Sequence, residues 1–455
     1  MPMISKEELR PLELELNSPD RAIRKNALAE IAELCRNRQL PSEPAGTLHN
    51  MHCHTCYSYN GYNYTPAYIA YLAKKSGWLA AGIIDFDVLD AVEEFRESAE
   101  ELDINYSCGI ETRVFFKELA DVSINSPGEP GIAYHLGLGF DTGEIPPCAR
   151  EFAHTMRAQA AARIKKIIGL VNDKLDPVRL DFEKDVTALT PAGNATERHL
   201  CQAYREKAEA LFTRREALAE FWSAKLGIPA AEAVKLIDNP VKLEAKIRSA
   251  TMKKGGVGYI APTPQSFPPL EAFNSFILEC GAIPTIAWLN GLSGGEADVD
   301  RLLDLHIDKG AAMLNIIPDR NCYPDNPART ARHLAELDRV VAACVERDLP
   351  VVIGTEMNAP GLKLVDDINC EGLRKHAETF IAGARILAGH TLFSKLSRGY
   401  LSDWAKRELP GRRERNAFYA RLGECLTPSR FETVREWPES AEKVKSMIDS
   451  IEPTA

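Results

Sequence analysis

The residues with the clearest capacity for chemistry are two histidines one residue apart, in the segment His52-Cys53-His54-Thr55. The preceding residues are strand-like, and in a β-strand residues i and i+2 point to the same face. Two adjacent imidazoles at the carboxyl end of a barrel strand can bind one metal ion. Two alternatives stay open: the histidines are unconnected surface residues, or thiolates take part. Of the nearby thiols, Cys53 should face away from both imidazoles and Cys56 follows two residues after His54.

Other groups that can bind a metal ion or move a proton also stand within or just after strand-like runs. Each alone is as typical of a helix cap or a solvated side chain. Together they suggest a barrel whose strands deliver histidines and carboxylates to one rim, which is the layout of a metal site. The residues are Asp85 and Asp87 after LAAGII, Glu111 at the end of SCGIE, His135 within AYHLGLGF and Glu356 after PVVIGT.

The elements that would position these residues alternate between strands and helices along much of the chain. Strand-like runs recur between helical stretches from about 47 to 140 and again from about 280 to 390, whereas 150–250 is mostly helical and rich in Ala, Lys, Arg and Glu. This alternation predicts an α/β fold with a parallel sheet, closed or nearly closed into a barrel. An open doubly wound sheet is the alternative, although the first strand is not followed by the glycine pattern of a dinucleotide site.

The domain organisation that follows has three parts. We expect an N-terminal helical extension over 1–46, a barrel over 47–390 with a helical insertion at about 150–250, and a C-terminal helical tail over 391–455. A cap over the mouth of the barrel is the expected role of the insertion.

Composition bounds the function and the compartment. The 455 residues carry a net charge of −10, so a broad nucleic-acid surface is not expected, and an anionic substrate would need local Lys and Arg residues or a metal ion. The eleven cysteines are scattered and odd in number, which is typical of reduced thiols. The acidic N-terminus does not look like a signal peptide, and no stretch is apolar enough to span a bilayer. We therefore expect a cytoplasmic protein with no membrane segment.

The order of these motifs resembles the PHP (polymerase and histidinol phosphatase) superfamily of metal-dependent phosphoesterases. Its opening motif is matched by His52 to Ser58, its Gly-Ile-Glu motif by Gly109 to Glu111, and its strand histidine by His135 before Gly137. Three later or intervening motifs are eroded: a histidine is replaced by Phe86, another by Trp288 and a third by Asn358. The resemblance spans about 47 to 360 and implies a distorted (β/α)7-type barrel.

The resemblance also implies a set of metal ligands. One ion would take His52, His54, Glu111 and Glu356, and a second would share Glu111 and take His135. The third site lacks its histidines, so one or two divalent ions, Zn, Mn or Fe, are expected. The chemistry would be hydrolysis by a metal-activated water, with Asp85 or Asp87 orienting a ligand or acting as a base.

Candidate substrate-binding residues lie in the middle of the insertion and just after its end. Arg198 and His199 occupy a region where the family often has Arg-x-His, displaced here by one position. Lys253 and Lys254 open a glycine-rich loop, Lys253–Gly258, whose ammonium and backbone N–H groups could hold an anion. A helix position for His199 and a plain flexible connection for the loop are the non-functional interpretations.

The leading hypothesis is therefore a metal-dependent hydrolase of a small phosphorylated substrate. The alternative is a catalytically weakened relative that binds a ligand or a protein partner, which the three replaced ligands support. A metal hydrolase of the amidohydrolase kind ranks last, because its bridging lysine and late aspartate have no clear counterpart. The sequence does not predict the oligomeric state.

Overall fold

The computed structural model describes residues 3–323, 325–433 and 436–453. Its core is one seven-stranded sheet in which the strands follow one another in chain order. The strands are β1 (His49–Cys53), β2 (Ala80–Phe86), β3 (Tyr106–Phe115), β4 (Ile132–Leu138), β5 (Ile283–Trp288), β6 (Met313–Ile316) and β7 (Val351–Ile353).

Helices surround this sheet, and further helices precede its first strand and follow its last strand. Those before the insertion are α1 (Lys6–Glu15), α2 (Arg21–Arg36), α3 (Pro66–Lys75) and α4 (Val92–Glu101). The insertion and the second half of the barrel contribute α5 (Arg150–Leu175), α6 (Glu197–Leu211), α7 (Arg215–Leu226), α8 (Ala230–Ile237), α9 (Pro240–Thr251), α10 (Leu270–Glu279), α11 (Val299–Asp308) and α12 (Pro327–Glu346). The last five are α13 (Ala377–Ser394), α14 (Asp403–Glu408), α15 (Arg412–Cys425), α16 (Pro428–Thr433) and α17 (Ala441–Asp449).

The sheet is almost closed into a barrel, which confirms the predicted fold class. A single parallel bridge joins Cys53 to Glu356, where N–H of Glu356 donates to the carbonyl of His52 and N–H of His54 donates to that of Glu356, both at 2.8 Å. These two hydrogen bonds tie the end of β1 to the chain just after β7. The seventh strand is thereby attached to the first.

One strand runs against the predicted direction. β4 pairs antiparallel with both β3 and β5, whereas the other neighbouring strands pair in parallel. The physical reason is the connection: only a short 3₁₀ turn, Lys117–Leu119, lies between β3 and β4, and a parallel return needs a crossover that is usually a helix. The expectation of a wholly parallel sheet is therefore wrong at this strand.

The insertion and the C-terminal helices pack in different ways. The insertion has its own apolar core, formed by α5–α9 around Trp222 and Tyr204. The C-terminal helices instead share a core with residues of the sheet, for example Met51 and Leu138 with Phe393 and Tyr419. The boundary expected at residue 390 falls inside α13, because that helix continues to Ser394.

Among the described residues, no helix is both long enough and apolar enough to cross a membrane.

Candidate metal centre

Three buried side chains meet at the mouth of the barrel. Nε2 of His52 lies 3.4 Å from Nε2 of His54, and Oε2 of Glu111 lies 3.4 Å and 3.2 Å from these two nitrogens. The side chains of all three residues are at most 6% exposed. They form the one group of three or more His, Cys, Asp or Glu side chains in the described chain that could hold a metal ion.

Local structure explains why these three residues meet. His52 lies in β1 and His54 follows it directly, so both rings leave the same side of the strand, while the intervening Cys53 packs into the apolar core behind it. Glu111 lies in the middle of β3 and is paired with Phe86 of β2. The strand order β1-β2-β3 therefore places the carboxylate two strands away from the imidazoles, across β2.

Outer hydrogen bonds set the tautomers of both histidines. Nδ1 of His52 lies 2.7 Å from Oδ1 of Asn315, an acceptor, so this ring nitrogen carries the proton. Nδ1 of His54 lies 3.1 Å from Oγ of Ser58, whose hydroxyl donates to Asp85 over 2.5 Å and therefore accepts from His54. Both Nε2 atoms are left with lone pairs directed to the same point as Glu111, which is the arrangement by which outer-shell groups orient metal ligands.

The residues present fit a divalent ion. In a tetrahedral zinc site with bonds of about 2.0–2.1 Å, ligand atoms lie about 3.3–3.4 Å apart, close to the three separations within this triad. Oε2 of Glu111 is buried and accepts no well-formed hydrogen bond. Burial alone would raise the pKa of Glu111, but hydrogen bonds and positive charge from imidazoles protonated at Nε2 lower it to about 2, and a metal ion would take the place of those protons. The ionised carboxylate of Glu111 and the Nε2 atoms of the two histidines together supply three protein ligands.

The fourth expected ligand of this ion, Glu356, lies beside the triad but is bound elsewhere. Its carboxylate accepts from Nη2 of Arg320 at 2.8 Å and 2.6 Å. Glu356 and the next residue, Met357, have φ angles of 62° and 53°, which non-glycine residues rarely adopt. Arg320 therefore holds the side chain that we expected to ligate the ion.

His135, expected to bind a second ion, lies away from the triad. In the antiparallel β3–β4 pair, opposed residues share a face, and Glu111 is opposite Leu136, so His135 falls on the other face. Its Nε2 lies 2.7 Å from Oδ1 of Asn274, and its ring stacks on that of His306 with centroids 5.2 Å apart. Burial lowers the pKa of His135 to about 4, so it is a neutral core residue.

The two candidate catalytic aspartates occupy different environments. Asp85 is buried beneath the triad, where it accepts hydrogen bonds from Thr55 and Ser58, and it does not line the pocket; it positions His54 through Ser58. Asp87 lines the pocket and accepts from Thr112. Burial raises the pKa of Asp87 to about 6, which suits a group that exchanges a proton near neutral pH.

The triad opens into a cavity of about 340 Å³ between the barrel mouth and the insertion. One wall comes from α5, with Met156, Arg163 and Ile167, and another from the start of α6. The insertion therefore forms part of the cavity wall above the triad. Phe86 and Asn358 both line this cavity, and the ring of Phe86 stacks on that of His54 at 4.3 Å.

The four candidate substrate-binding residues divide equally. Arg198 and Lys253 line the cavity, whereas Lys254 and His199 do not. Nδ1 of His199 accepts from the backbone N–H of Thr196 at the start of α6, so it caps that helix. In the loop Lys253–Gly258 the N–H groups of Gly256 and Gly258 donate to the carbonyls of Lys253 and Thr251, so these two groups do not face an anion.

Charge in the cavity is unevenly distributed and favours an anion. Glu197 accepts from Arg248 and Lys253 over 2.9 Å and 2.7 Å, and these two cations lower its pKa to about 2 against the effect of burial. Cationic side chains outnumber anionic ones on the lining. The cations are Arg113, Arg163, Arg198, Arg248, Lys253 and Arg320, and the anions are Asp87, Glu111, Glu197 and Glu356.

Sequence reasoning missed three residues that organise the site: Asn315, Ser58 as a hydrogen-bond relay, and Arg320. Ser58 did belong to the opening motif, so a signal for it existed. Asn315 lies within β6, and Arg320 lies in the turn after that strand. Their places within and just after a predicted strand are a signal of the kind used for Glu111 and Glu356, but an amide and a guanidinium are not typical metal ligands.

No protein-family model matches the chain, and none of the curated proteins does. Two solved structures are similar to it in shape. An amidohydrolase from Chromobacterium violaceum, solved with bound sulfate and no metal, is 14% identical with a TM-score of 0.47, over 73% of this chain and 96% of that one. A candidate metal-dependent phosphoesterase from Bifidobacterium adolescentis is 20% identical with a TM-score of 0.46, over 74% and 98% of the two chains. Both similarities are weak, and the chemistry of this chain rests on its own residues.

Proposed function

We propose that this chain is a metal-dependent hydrolase that acts on a small phosphoester. The observation that carries the proposal is the buried triad of His52, His54 and Glu111, whose three ligand atoms lie 3.2–3.4 Å apart. Three protein ligands and an open side facing a cavity are typical of catalytic rather than structural zinc sites.

The cavity supports an anionic substrate. Its lining carries six cationic and four anionic side chains, although the whole chain has a net charge of −10. A local excess of positive charge in a cleft of a negative protein concentrates anions there. Arginine forks also match the geometry of phosphate oxygens.

The reaction would combine one ion with groups of the chain. A divalent ion at the triad would supply a bound water of lowered pKa and offset charge on the substrate. Asn315 and Ser58 hold the two imidazoles in the tautomer that leaves Nε2 unprotonated. Asp87 lines the cavity with a raised pKa and is the candidate to give a proton to the leaving group.

The compartment is part of the same proposal. All eleven cysteines are free thiols, which supports a chain that works in the reducing cytoplasm.

The test is a metal titration and a phosphoester panel on the same preparation. We expect wild type supplied with Zn²⁺ or Mn²⁺ to hydrolyse at least one phosphoester, and His54→Ala to lose bound metal and activity together while its unfolding transition is kept. Full activity in His54→Ala would show that the assigned site is wrong. If metal-loaded wild type hydrolyses nothing, the binding-protein alternative becomes the better one, since Phe86 and Trp288 make part of the lining apolar.

A further inference from the structure

Glu356 brings a carboxylate to the edge of the triad, but this carboxylate is already engaged. Both of its oxygens accept from Nη2 of Arg320, and Oε2 also accepts from Nδ2 of Asn358 at 3.3 Å. The side chain of Glu356 is 11% exposed and that of Arg320 is 43% exposed. The carboxylate therefore anchors the guanidinium instead of completing the metal site.

The backbone holds Glu356 in this position. Its N–H and carbonyl close the barrel against His52 and His54, and both Glu356 and Met357 adopt left-handed φ angles. Such conformations cost about 1 kcal/mol or more each and persist where the surroundings enforce them. Glu356 cannot turn toward the triad by a backbone shift without breaking the closure between β7 and β1.

Arg320 keeps most of its donors available. A guanidinium has five N–H donors, and Glu356 engages only Nη2; among the described residues, Nε and Nη1 donate to no partner. Arg320 lines the same cavity as Glu111. Burial would lower the pKa of Arg320, but Glu356 raises it, so the group stays charged. A charged fork with open donors, fixed at one end, is suited to bind a phosphoryl group.

The positions that would serve further ions are filled by other groups. His135 faces away from the site, and the ring of Phe86 stacks against His54. The indole of Trp288 lines the cavity and is 2% exposed. Positive charge beyond the first ion must therefore come from side chains.

We propose that the site holds a single metal ion and that Arg320, anchored by Glu356, binds the phosphoryl oxygens in place of further ions. The identity of the anion as a phosphoryl group rests on the proposed function. Glu356 is in this view a positioning residue for Arg320 and not a metal ligand.

Metal counting tests the first half. The chain is loaded with excess Zn²⁺, desalted and analysed by mass spectrometry of the metal, and we expect one ion per chain. Glu356→Gln should bind Zn²⁺ within about threefold of wild type, since its carboxylate is not a ligand, whereas His54→Ala should lose the ion. Two or more ions per chain, or equal losses in Glu356→Gln and His54→Ala, would overturn the proposal.

Calorimetry with inorganic phosphate on the zinc-loaded chain tests the second half. We expect Arg320→Ala to bind phosphate about ten- to a hundredfold more weakly, the range for lost hydrogen bonds between charged groups. Arg320→Lys keeps the positive charge but loses the forked guanidinium, so its phosphate affinity should lie between those of wild type and Arg320→Ala. Arg332→Ala, an exposed arginine of α12 outside the cavity, should match wild type, and thermal unfolding checks that each variant is folded.

Equal phosphate affinity in wild type and Arg320→Ala, or no phosphate binding by zinc-loaded wild type, would refute the role of Arg320. Neither measurement needs turnover. A chain that hydrolyses no phosphoester but shows one ion and Arg320-dependent phosphate binding would contradict the proposed hydrolase activity and leave this inference standing.

Discussion

Ser58→Ala isolates the hydrogen bond that sets the tautomer of His54. Oγ of Ser58 lies 3.1 Å from Nδ1 of His54 and 2.5 Å from Oδ1 of Asp85, and all three residues are buried. Without this hydroxyl, Nδ1–H loses its acceptor. The tautomer protonated at Nε2 then becomes favourable, because Nε2 can donate to Glu111 at 3.2 Å, and a metal ion must displace that proton.

The size of the effect follows from the hydrogen bonds involved. Losing a bond to a charged or buried group costs about 1.5–3 kcal/mol, and about 1.4 kcal/mol corresponds to a tenfold change in affinity. We expect Ser58→Ala to weaken zinc binding about ten- to a hundredfold, the range typical of changes to outer-shell partners of metal ligands. His54→Ala should weaken it further, because a ligand itself is lost.

The assay is competition for Zn²⁺ with a chromophoric chelator, accompanied by thermal unfolding of each metal-free variant. Ser446→Ala, at an exposed position of α17, is the matched control and should bind like wild type. Asp85→Asn should act in the same direction as Ser58→Ala but also lower stability, because Asp85 accepts three hydrogen bonds. Zinc affinity of Ser58→Ala within twofold of wild type would refute the tautomer argument.

Three further outcomes are expected. Burial lowers the pKa of His390 to about 4, below its unfolded value, so this residue lowers the free energy of unfolding by up to about 3 kcal/mol as pH falls from 6.5 to 4. In urea unfolding, His390→Gln should lose that part of the pH dependence. An unchanged slope of unfolding free energy against pH would contradict this. Arg198 lines the cavity without an ion-pair partner among the described residues, so Arg198→Ala should raise the KM for an active phosphoester severalfold, whereas an unaltered KM would exclude substrate contact. Arg24 and Glu94 form a buried pair with side chains 3% and 6% exposed, so Arg24→Met should lower the free energy of unfolding in urea by about 3–5 kcal/mol; a loss below 1 kcal/mol would show that Glu94 finds another partner.

Much of the triad could be predicted because it depends on local order. The alternation of side chains in β1 places His52 and His54 on one face whatever the rest of the fold does. Glu111 ends an apolar run, and although β3 continues to Phe115, Glu111 pairs with Phe86 at the carboxyl end of β2 and so lies at the rim. These inferences need only the period of a strand and the order of the elements.

The prediction for His135 was wrong because the face on which His135 lies depends on the direction of β4 and on its register with β3. The residues of β4 do not specify either. Reversing β4 pairs Leu136 with Glu111 and turns His135 to the other face. A signal was present: no helical pattern lies between Phe115 and Ile132, and a hairpin-like return is the alternative to a crossover. Arg320 could not be assigned to Glu356 in the same way, because the pair is 36 positions apart in the chain.

Helix α5 runs without interruption from the barrel into the insertion. At about 1.5 Å per residue, its 26 residues span about 39 Å. Met156 near its start packs in the core around the first strands, and Ile164 and Ile168, about two and three turns later, pack in the core of the insertion. The same rod therefore belongs to both cores and has no break between them. A movement of the insertion away from the barrel would have to bend a continuous helix. We therefore expect ligands to enter through the existing opening of the cavity. Crystals of the chain should accordingly tolerate ligand soaking without a change in lattice.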